Sequence, residues 1–236
     1  MVDATVIVDN KVFYEGLKQF HGLSIYVEAY DFMVLFDTGP KEEVLQFNSE
    51  KLGINLDLLD AAIISHIHSD HVGGIPYLGW SSPYLKVYIP FDSLSTIGRK
   101  VKANGLVPIE VLDWIEIKPR IHVSKPFYGP PWEHFLVVDA DKGLILFSGC
   151  MHPRIDNVLR EITQRFRKKI YAIMGGFHLE NAPLKIIEEY IDKLVNIYGI
   201  EKIIPLHCSG EYFRMLLKKK YPERYVDAGA GSCIYL

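Results

Sequence analysis

Ser65-His66-Ile67-His68-Ser69-Asp70-His71-Val72-Gly73-Gly74 is the most informative stretch of this sequence, and it follows an apolar run typical of a buried strand. His66 and His68 are two residues apart, so an extended segment points both side chains to one side. Asp70 and His71 follow in a turn that ends at the glycine pair Gly73-Gly74. Four ligating groups in six residues have no packing purpose. Because imidazole and carboxylate together bind zinc, iron or manganese, the stretch predicts a metal centre with room for two adjacent ions.

The composition is that of a globular protein with little net charge. The chain has 236 residues, 49% of them apolar, and a formal net charge of −3. Near-neutral charge without a basic arm argues against nucleic acid as a partner. Three cysteines form no disulfide framework and indicate a reducing, cytoplasmic compartment. The sequence has neither a signal-peptide pattern nor an apolar run long enough for a bilayer, so we expect no membrane association.

Short apolar runs alternate with amphipathic segments, which predicts an α/β fold. Strands are expected at 5–8, 24–27, 32–36, 85–89, 114–123, 144–147, 170–174, 202–205 and 232–236. Helices are expected at 41–52, 56–59, 155–166, 182–198 and 211–220, with Pro183 in the first turn of the fourth. No linker or repeat divides the chain. We therefore expect one domain over 1–236, with a variable middle region at about 75–131.

Four apolar strands end in polar loops that carry histidines. The loops hold His66 to His71 after 62–65, Cys150 and His152 after 144–147, His178 after 170–174, and His207 after 202–205. Ligands of open α/β sheets bind beyond the C-terminal strand ends, so the loops should meet along one rim if the strands run side by side. His152 and His207 are thus candidate ligands. His178, after a glycine pair, could bind metal or substrate, or only cap the chain.

The other histidines and cysteines have a simpler interpretation. Isolated histidines are usually hydrogen-bonded core or surface residues, which is the interpretation favoured for His21, His122 and His134. Cys208 and Cys233 are more simply small apolar core residues than ligands.

The stretch from 65 to 74 resembles the signature of the metallo-β-lactamase superfamily, in which two histidines, an aspartate and a histidine precede a glycine pair. Leu35-Phe36-Asp37-Thr38-Gly39 matches that superfamily's Asp-Thr-Gly element. The segments 21–24, 148–152, 175–179 and 205–210 resemble one subgroup, labelled 7,8-dihydropterin-6-ylmethyl-4-(β-D-ribofuranosyl)aminobenzene 5′-phosphate synthase-like. The resemblance covers nearly the whole chain. It implies a four-layer αββα sandwich with metals at one edge between two sheets.

The resemblance also implies a ligand set. His66 and His68 match the histidines of the first metal site. Asp70, His71 and the late His207 match the second site.

Two departures from the superfamily pattern concern the strand end at 144–147. The third histidine motif is not visible before Leu144, and His152 is its candidate replacement. Cys150 stands where a bridging aspartate normally follows Ser/Thr-Gly. A thiolate binds zinc, but whether it bridges is open. We expect one or two divalent ions, with zinc favoured over iron or manganese.

The function implied by the resemblance is that of a metal-dependent hydrolase or pterin transferase. Its substrate would be a small phosphate- or pyrophosphate-bearing metabolite, such as a pterin of methanopterin biosynthesis. Asp70 and Asp37 are candidate catalytic residues, with Asp37 orienting the histidine loop. Arg154 could bind a substrate phosphate at a helix N-terminus or be a solvated surface arginine. The alternatives are a general hydrolase of esters, lactones or phosphodiesters, and a non-catalytic metal or redox-cofactor protein, which missing ligands would favour.

Overall fold

Two β-sheets form the centre of the computed structural model, which describes residues 2–236. The first sheet consists of β1 (Val2–Val8), β2 (Ser24–Ala29), β3 (Phe32–Phe36), β4 (Ala61–Ile63), β5 (Lys86–Ile89), β6 (Val107–Glu110) and β15 (Cys233–Tyr235). Their order across the sheet is β15-β1-β2-β3-β4-β5-β6. The strands from β3 to β6 are parallel, so their C-terminal ends lie at one edge.

The second sheet has six strands and the same kind of parallel half. It consists of β7 (Ile115–Lys118), β8 (Ile121–Val123), β11 (Leu136–Ala140), β12 (Gly143–Ser148), β13 (Ile170–Gly175) and β14 (Lys202–Pro205). The order is β14-β13-β12-β11-β8-β7, with β12, β13 and β14 parallel. A short hairpin of β9 (Phe127–Tyr128) and β10 (Trp132–Glu133) leads from β8 to β11.

Helices cover the outer faces of both sheets. They are α1 (Glu42–Lys51), α2 (Ser69–Val72), α3 (Ile75–Ser81), α4 (Arg99–Ala103), α5 (Ile155–Phe166), α6 (Leu184–Asp192) and α7 (Glu211–Lys220). Short 3-10 turns occur at Leu56–Leu58 and His207–Ser209, and π-helical turns at Leu94–Gly98 and Lys193–Ile197. Within residues 2–236, no helix is both long enough and apolar enough to cross a membrane.

Three hydrophobic clusters separate four layers. The central cluster lies between the sheets, where the rings of Phe36 and Phe147 are 6.4 Å apart. Alternate residues of the first sheet pack outward against α1, α3 and α4. Those of the second sheet pack against α5, α6 and α7. Period-two strands and helices with one apolar face therefore produce the expected αββα sandwich, which is confirmed.

Three local expectations were wrong. The run 114–123 is a hairpin of β7 and β8, because Arg120 adopts a left-handed conformation (φ 72°) that reverses the chain. Pro183 precedes α6 with an extended ψ of 147°, and the helix changes to a π-helical turn after Asp192. Cys233 is exposed on the edge strand β15, so it is not a core residue.

The four histidine-bearing strands do not lie side by side. The strand before His66 is β4 of the first sheet, whereas β12, β13 and β14 are neighbours in the second. The loops nevertheless meet, because the parallel strands of both sheets end at the same edge of the sandwich. Gly149 allows this approach: a Cβ there would lie 2.1 Å from Oγ of Ser65.

Candidate metal centre

Three imidazole rings converge where β4 and β12 end. Nε2 of His66 lies 3.1 Å from Nδ1 of His68 and 3.3 Å from Nε2 of His152. His66 is completely buried and His68 is exposed, so the group extends from the interior to the surface. Ring nitrogens that face one another this closely can surround a single cation.

Hydrogen bonds behind His66 determine which of its nitrogens is free. Oγ of Ser65 donates its only hydrogen to Oδ2 of Asp37 at 2.7 Å and lies 2.9 Å from Nδ1 of His66. Nδ1 must therefore carry the proton that Ser65 accepts. Nε2 keeps a lone pair directed at His68, which is the tautomer a metal ligand requires.

A second group contains His71, Asp70 and Cys150. Nδ1 of His71 donates to Oδ2 of Asp37 at 2.7 Å. Its Nε2 faces Sγ of Cys150 at 3.4 Å and Oδ2 of Asp70 at 3.5 Å. Asp37 is completely buried, so it lies behind the candidate ligands rather than at the cavity.

His207 completes this second group from the far end of the chain. Its Nε2 lies 3.1 Å from Oδ2 of Asp70, and its Nδ1 donates to Oδ1 of Asn10 at 2.9 Å. The backbone N–H of His207 donates to Asp9 at 2.5 Å. No local pattern in the sequence marked Asp9 or Asn10, because their role exists only through contact with residues 197 or 198 positions away.

Glu133 holds the loop that presents Cys150 and His152. Its Oε1 accepts the backbone N–H groups of Gly149, Cys150 and Met151 at 3.1, 2.9 and 3.0 Å, and its Oε2 accepts that of His152 at 2.7 Å. Burial raises the pKa of Glu133 to about 7, although these donors act in the opposite direction. Sequence reasoning missed Glu133, since a lone glutamate beside Trp132 carries no recognisable signal.

Opposing electrostatic effects operate in the cluster. Burial lowers the pKa of His66 well below its usual value and that of His152 to about 4. Burial also acts to lower the pKa of His71, but the Asp37 carboxylate outweighs it and raises the pKa to about 10. Hydrogen bonds from His207 and His71 overcome burial and hold the pKa of Asp70 far below its usual range. A divalent cation would replace the proton on Nε2 of His71 and suit the negative Asp70.

The convergent groups open into a cavity of about 460 Å³. Its walls are formed by His21, His68, Asp70, Cys150, His152, His178, Glu180, Asn181, Ala182, His207 and Cys208. Arg154 is exposed at the N-terminus of α5 and is not among these residues. Its assignment to substrate binding stays a prediction.

The remaining histidines divide into two kinds. His21 is on the surface, as expected, but Nε2 lies 3.5 Å from Asp70 and the residue lines the cavity, which its sequence context did not reveal. His178 packs against His152 with ring centroids 4.7 Å apart. His122 and His134 lie outside the cavity, His122 against Phe166 and His134 in the core.

Cys208 is buried, as a core residue would be, but it belongs to the site. A ring nitrogen of His207 and the sulfur atoms of Cys150 and Cys208 lie within 4.8 Å of one another. The donor set of the described residues therefore fits divalent metal. His66, His68 and His152 could hold one ion, and Asp70, His71, His207 and Cys150 could hold a neighbouring one.

The comparison with known families agrees with this geometry. Residues 17–166, more than half of the chain, match the family model described as the metallo-beta-lactamase superfamily. The chain belongs to this superfamily. Its fold is therefore that of a family whose members bind divalent metals, and its clustered histidines and cysteines are candidates for such a site.

Relatives of this superfamily member include one curated protein. The chain is 28% identical to the 7,8-dihydropterin-6-methyl-4-(beta-D-ribofuranosyl)-aminobenzene-5'-phosphate synthase of Methanocaldococcus jannaschii, over 91% of this chain and 89% of that protein. It is also similar to a solved metal-dependent hydrolase of the beta-lactamase superfamily, with a TM-score of 0.85, 26% identity and coverage of 100% and 99%. Zn²⁺-bound PqqB from Methylobacterium extorquens shares the fold, with a TM-score of 0.67, 13% identity and coverage of 99% and 100%.

Proposed function

We propose that this chain is a metal-dependent enzyme acting on a phosphate- or pyrophosphate-bearing metabolite, with a reduced pterin as the favoured class. One observation supports the metal dependence: the imidazole rings converge, and in each of them the nitrogen that points away from the cluster is hydrogen-bonded to an acceptor. The acceptor is Ser65 for His66, Asp37 for His71 and Asn10 for His207. Metal-ligating histidines use this kind of second partner. The pterin class is supported by the name of the relative from M. jannaschii.

The proposed ligands are His66, His68 and His152 for one ion. For the other ion they are Asp70, His71, His207 and Cys150, whose facing atoms lie 3.1–3.5 Å apart in pairs. Zinc is favoured because a thiolate selects softer ions. Divalent ions held by these residues would polarise a substrate oxygen as Lewis acids and would neutralise charge on a pyrophosphate leaving group.

The chain's own residues orient the reaction. Asp37 and Asn10 keep protons on the outer nitrogens of His71 and His207, so that the inner nitrogens stay free. Asp37 is thus a positioning residue, whereas Asp70 faces the cavity and can contact substrate. His21 and His178 offer ring nitrogens at the cavity wall for hydrogen bonds to a heterocycle or a phosphate.

A second candidate function is hydrolysis of esters, lactones or phosphodiesters at the same site. It is supported by the 26% identity to a metal-dependent hydrolase. Missing ligands would favour a non-catalytic metal or redox-cofactor protein. Within the described residues 2–236, however, the candidate ligands lie together at one edge of the sandwich.

One experiment separates these functions. The protein is stripped of metal, reloaded with Zn²⁺ or Mn²⁺, and assayed with a dihydropterin pyrophosphate with and without a ribosylaminobenzene phosphate acceptor. Pyrophosphate release that requires the acceptor supports the synthase. Release without it, or cleavage of simple esters and phosphodiesters, supports a hydrolase, and bound metal with no turnover supports the non-catalytic alternative.

A further inference from the structure

Cys208 has a position that the ligand set above leaves unused. Its side chain is only 6% exposed, yet it lines the cavity with Cys150 and His207. Both sulfur atoms and one ring nitrogen of His207 lie within 4.8 Å of one another. Nδ1 of His207 is occupied by Asn10, so the nitrogen available to this group is Nε2.

We propose that Cys208 is a ligand of the second metal ion, together with Cys150 and His207. Oδ2 of Asp70 lies 3.1 Å from Nε2 of His207, so Cys208 adds a second thiolate to the donors Asp70, His71, His207 and Cys150 proposed above. Both thiols lose their protons to solvent when the ion binds. The inference rests on the proposed function, because it requires metal at this edge of the sandwich.

Hydrogen bonds hold the sulfur of Cys208 in place. The backbone N–H of His178 donates to Sγ at 3.2 Å. The carbonyl oxygen of Cys208 accepts the backbone N–H groups of Leu179 and Glu180 at 3.0 and 3.1 Å. Such hydrogen-bond partners outside the metal site fix the direction of a ligand. Hydrogen bonds from backbone N–H groups to sulfur also stabilise the thiolate.

A purely apolar role accounts for fewer of these observations. Neither Cys150 nor Cys208 belongs to the three hydrophobic clusters formed by the described residues. The space beside Cys208 is kept open by Gly176, where a Cβ would lie 2.7 Å from the sulfur. The sulfur therefore points to the polar cavity rather than to an aliphatic core.

The consequence is metal selectivity. Two thiolates and an imidazole form a softer set than the three imidazoles proposed for the first ion. The second position should therefore prefer Zn²⁺ to Mn²⁺ more strongly than the first position does.

Cobalt substitution tests the role of Cys208. Metal-free protein, kept reduced with a phosphine, is titrated with Co²⁺ in the wild type and in Cys208→Ser, Cys150→Ser and Cys233→Ser. Cys233 is exposed on β15 and serves as the matched control. We expect thiolate-to-Co²⁺ charge-transfer absorption in the wild type and Cys233→Ser. In Cys208→Ser the absorption should decrease, and the affinity for the second ion should fall by a factor of roughly ten or more.

The outcomes separate this inference from the proposed function. If Cys208→Ser keeps the absorption and affinity of the wild type, Cys208 is not a ligand, although the metal centre stands. If the wild type binds no Co²⁺, the proposed function fails as well. Should Cys208→Ser not fold, X-ray absorption of Zn²⁺-loaded Cys150→Ser decides, because Cys208 is then the remaining sulfur in the cavity wall. A sulfur neighbour at about 2.3 Å supports the inference, and its absence overturns it.

Discussion

Oδ2 of Asp37 accepts a hydrogen bond from Nδ1 of His71 at 2.7 Å, and both side chains are completely buried. The same oxygen accepts the hydroxyl of Ser65, and Oδ1 accepts the backbone N–H of Ser65, both at 2.7 Å. One carboxylate therefore determines the free nitrogens of two candidate ligands, His71 directly and His66 through Ser65.

Asp37→Asn should weaken metal binding without unfolding the chain. An amide keeps one oxygen and cannot satisfy all three donors, so the histidines lose their orientation. We expect metal affinity to fall by roughly 10–100-fold, measured by competition with a chromophoric chelator. Asp60→Asn is the matched control, because Asp60 accepts the N–H of Met33 at an exposed position. Equal losses in the two variants would contradict the role of Asp37.

His68→Ala should lower the metal content per chain and abolish activity. The side chain is exposed, so its removal disturbs little packing and the far-UV CD spectrum should stay near that of the wild type. His122→Ala, a histidine on β8 outside the cavity, should keep both metal and activity. Unchanged metal stoichiometry in His68→Ala would remove it from the ligand set.

Glu133→Gln should affect stability and metal binding together. Glutamine offers one oxygen to the four backbone donors and turns an NH₂ group towards another N–H. We expect a loss of roughly 1–3 kcal/mol in the free energy of unfolding by urea. The ion bound by His152 should also bind more weakly, whereas Glu15→Gln on the surface should change neither property. A stability loss with unchanged metal affinity would limit Glu133 to a structural role.

His134 should make the metal-free protein less stable in mild acid. Its Nε2 donates to the carbonyl of Ile64 at 2.8 Å, and its Nδ1 has no hydrogen-bond partner among residues 2–236. Burial lowers the pKa of His134 to about 3, with the Ile64 carbonyl opposing the shift. In the unfolded chain the pKa of His134 is about 6.5, so the unfolded chain binds the proton more readily than the folded protein does. The stability due to neutral His134 is therefore full above pH 6.5 and lost as the pH falls towards 3.

Urea unfolding of metal-free protein at pH 7 and pH 5 measures this effect. At pH 5 the loss due to His134 should be about 2 kcal/mol. His134→Gln should be less stable at pH 7, because the Ile64 contact is disturbed, but should lose less stability on acidification than the wild type. Parallel pH dependence in the two proteins would show that His134 is not the group responsible.

The candidate metal centre could be predicted from sequence because its first candidate donors are local. His66, His68, Asp70 and His71 lie within six residues, where no packing requirement explains them. His152 and His207 could be found because both follow apolar strands, and parallel strands end at a common edge. The structure brings these residues together within a few ångströms.

The supporting contacts could not be predicted in this way. Glu133 forms hydrogen bonds to residues that are 16 to 19 positions away in sequence, and Asn10 to a residue 197 positions away. No local pattern therefore distinguishes them from surface residues. An apolar strand also does not specify which sheet it joins, so the sequence could not show that β4 and β12 belong to different sheets. Cys208 illustrates the same limit: burial of a small residue is predictable, but its position beside Cys150 is a tertiary property.

Cys150 offers the sharpest remaining test, because ligand and packing roles predict opposite outcomes. Its Sγ lies 3.4 Å from Nε2 of His71, and the side chain is almost completely buried. As a ligand, Cys150→Ser should weaken binding of the second ion, and Cys150→Asp should retain two ions with greater tolerance for Mn²⁺. As a packing residue, Cys150→Ser should leave metal content unchanged, while Cys150→Asp buries an unpaired charge and destabilises strongly.

We expect the ligand outcome, because the aspartate would face His71, whose inner nitrogen lies beside the sulfur, rather than an apolar wall. Calorimetric titrations of both variants with Zn²⁺ and Mn²⁺, run with thermal melts of the metal-free and loaded proteins, measure occupancy and stability separately. Cys150→Asp should melt at a lower temperature without metal and recover when Zn²⁺ is added, since the cation neutralises the buried carboxylate. A Cys150→Asp protein that stays unstable with Zn²⁺, beside a Cys150→Ser protein that binds two ions normally, would exclude Cys150 from the ligand set.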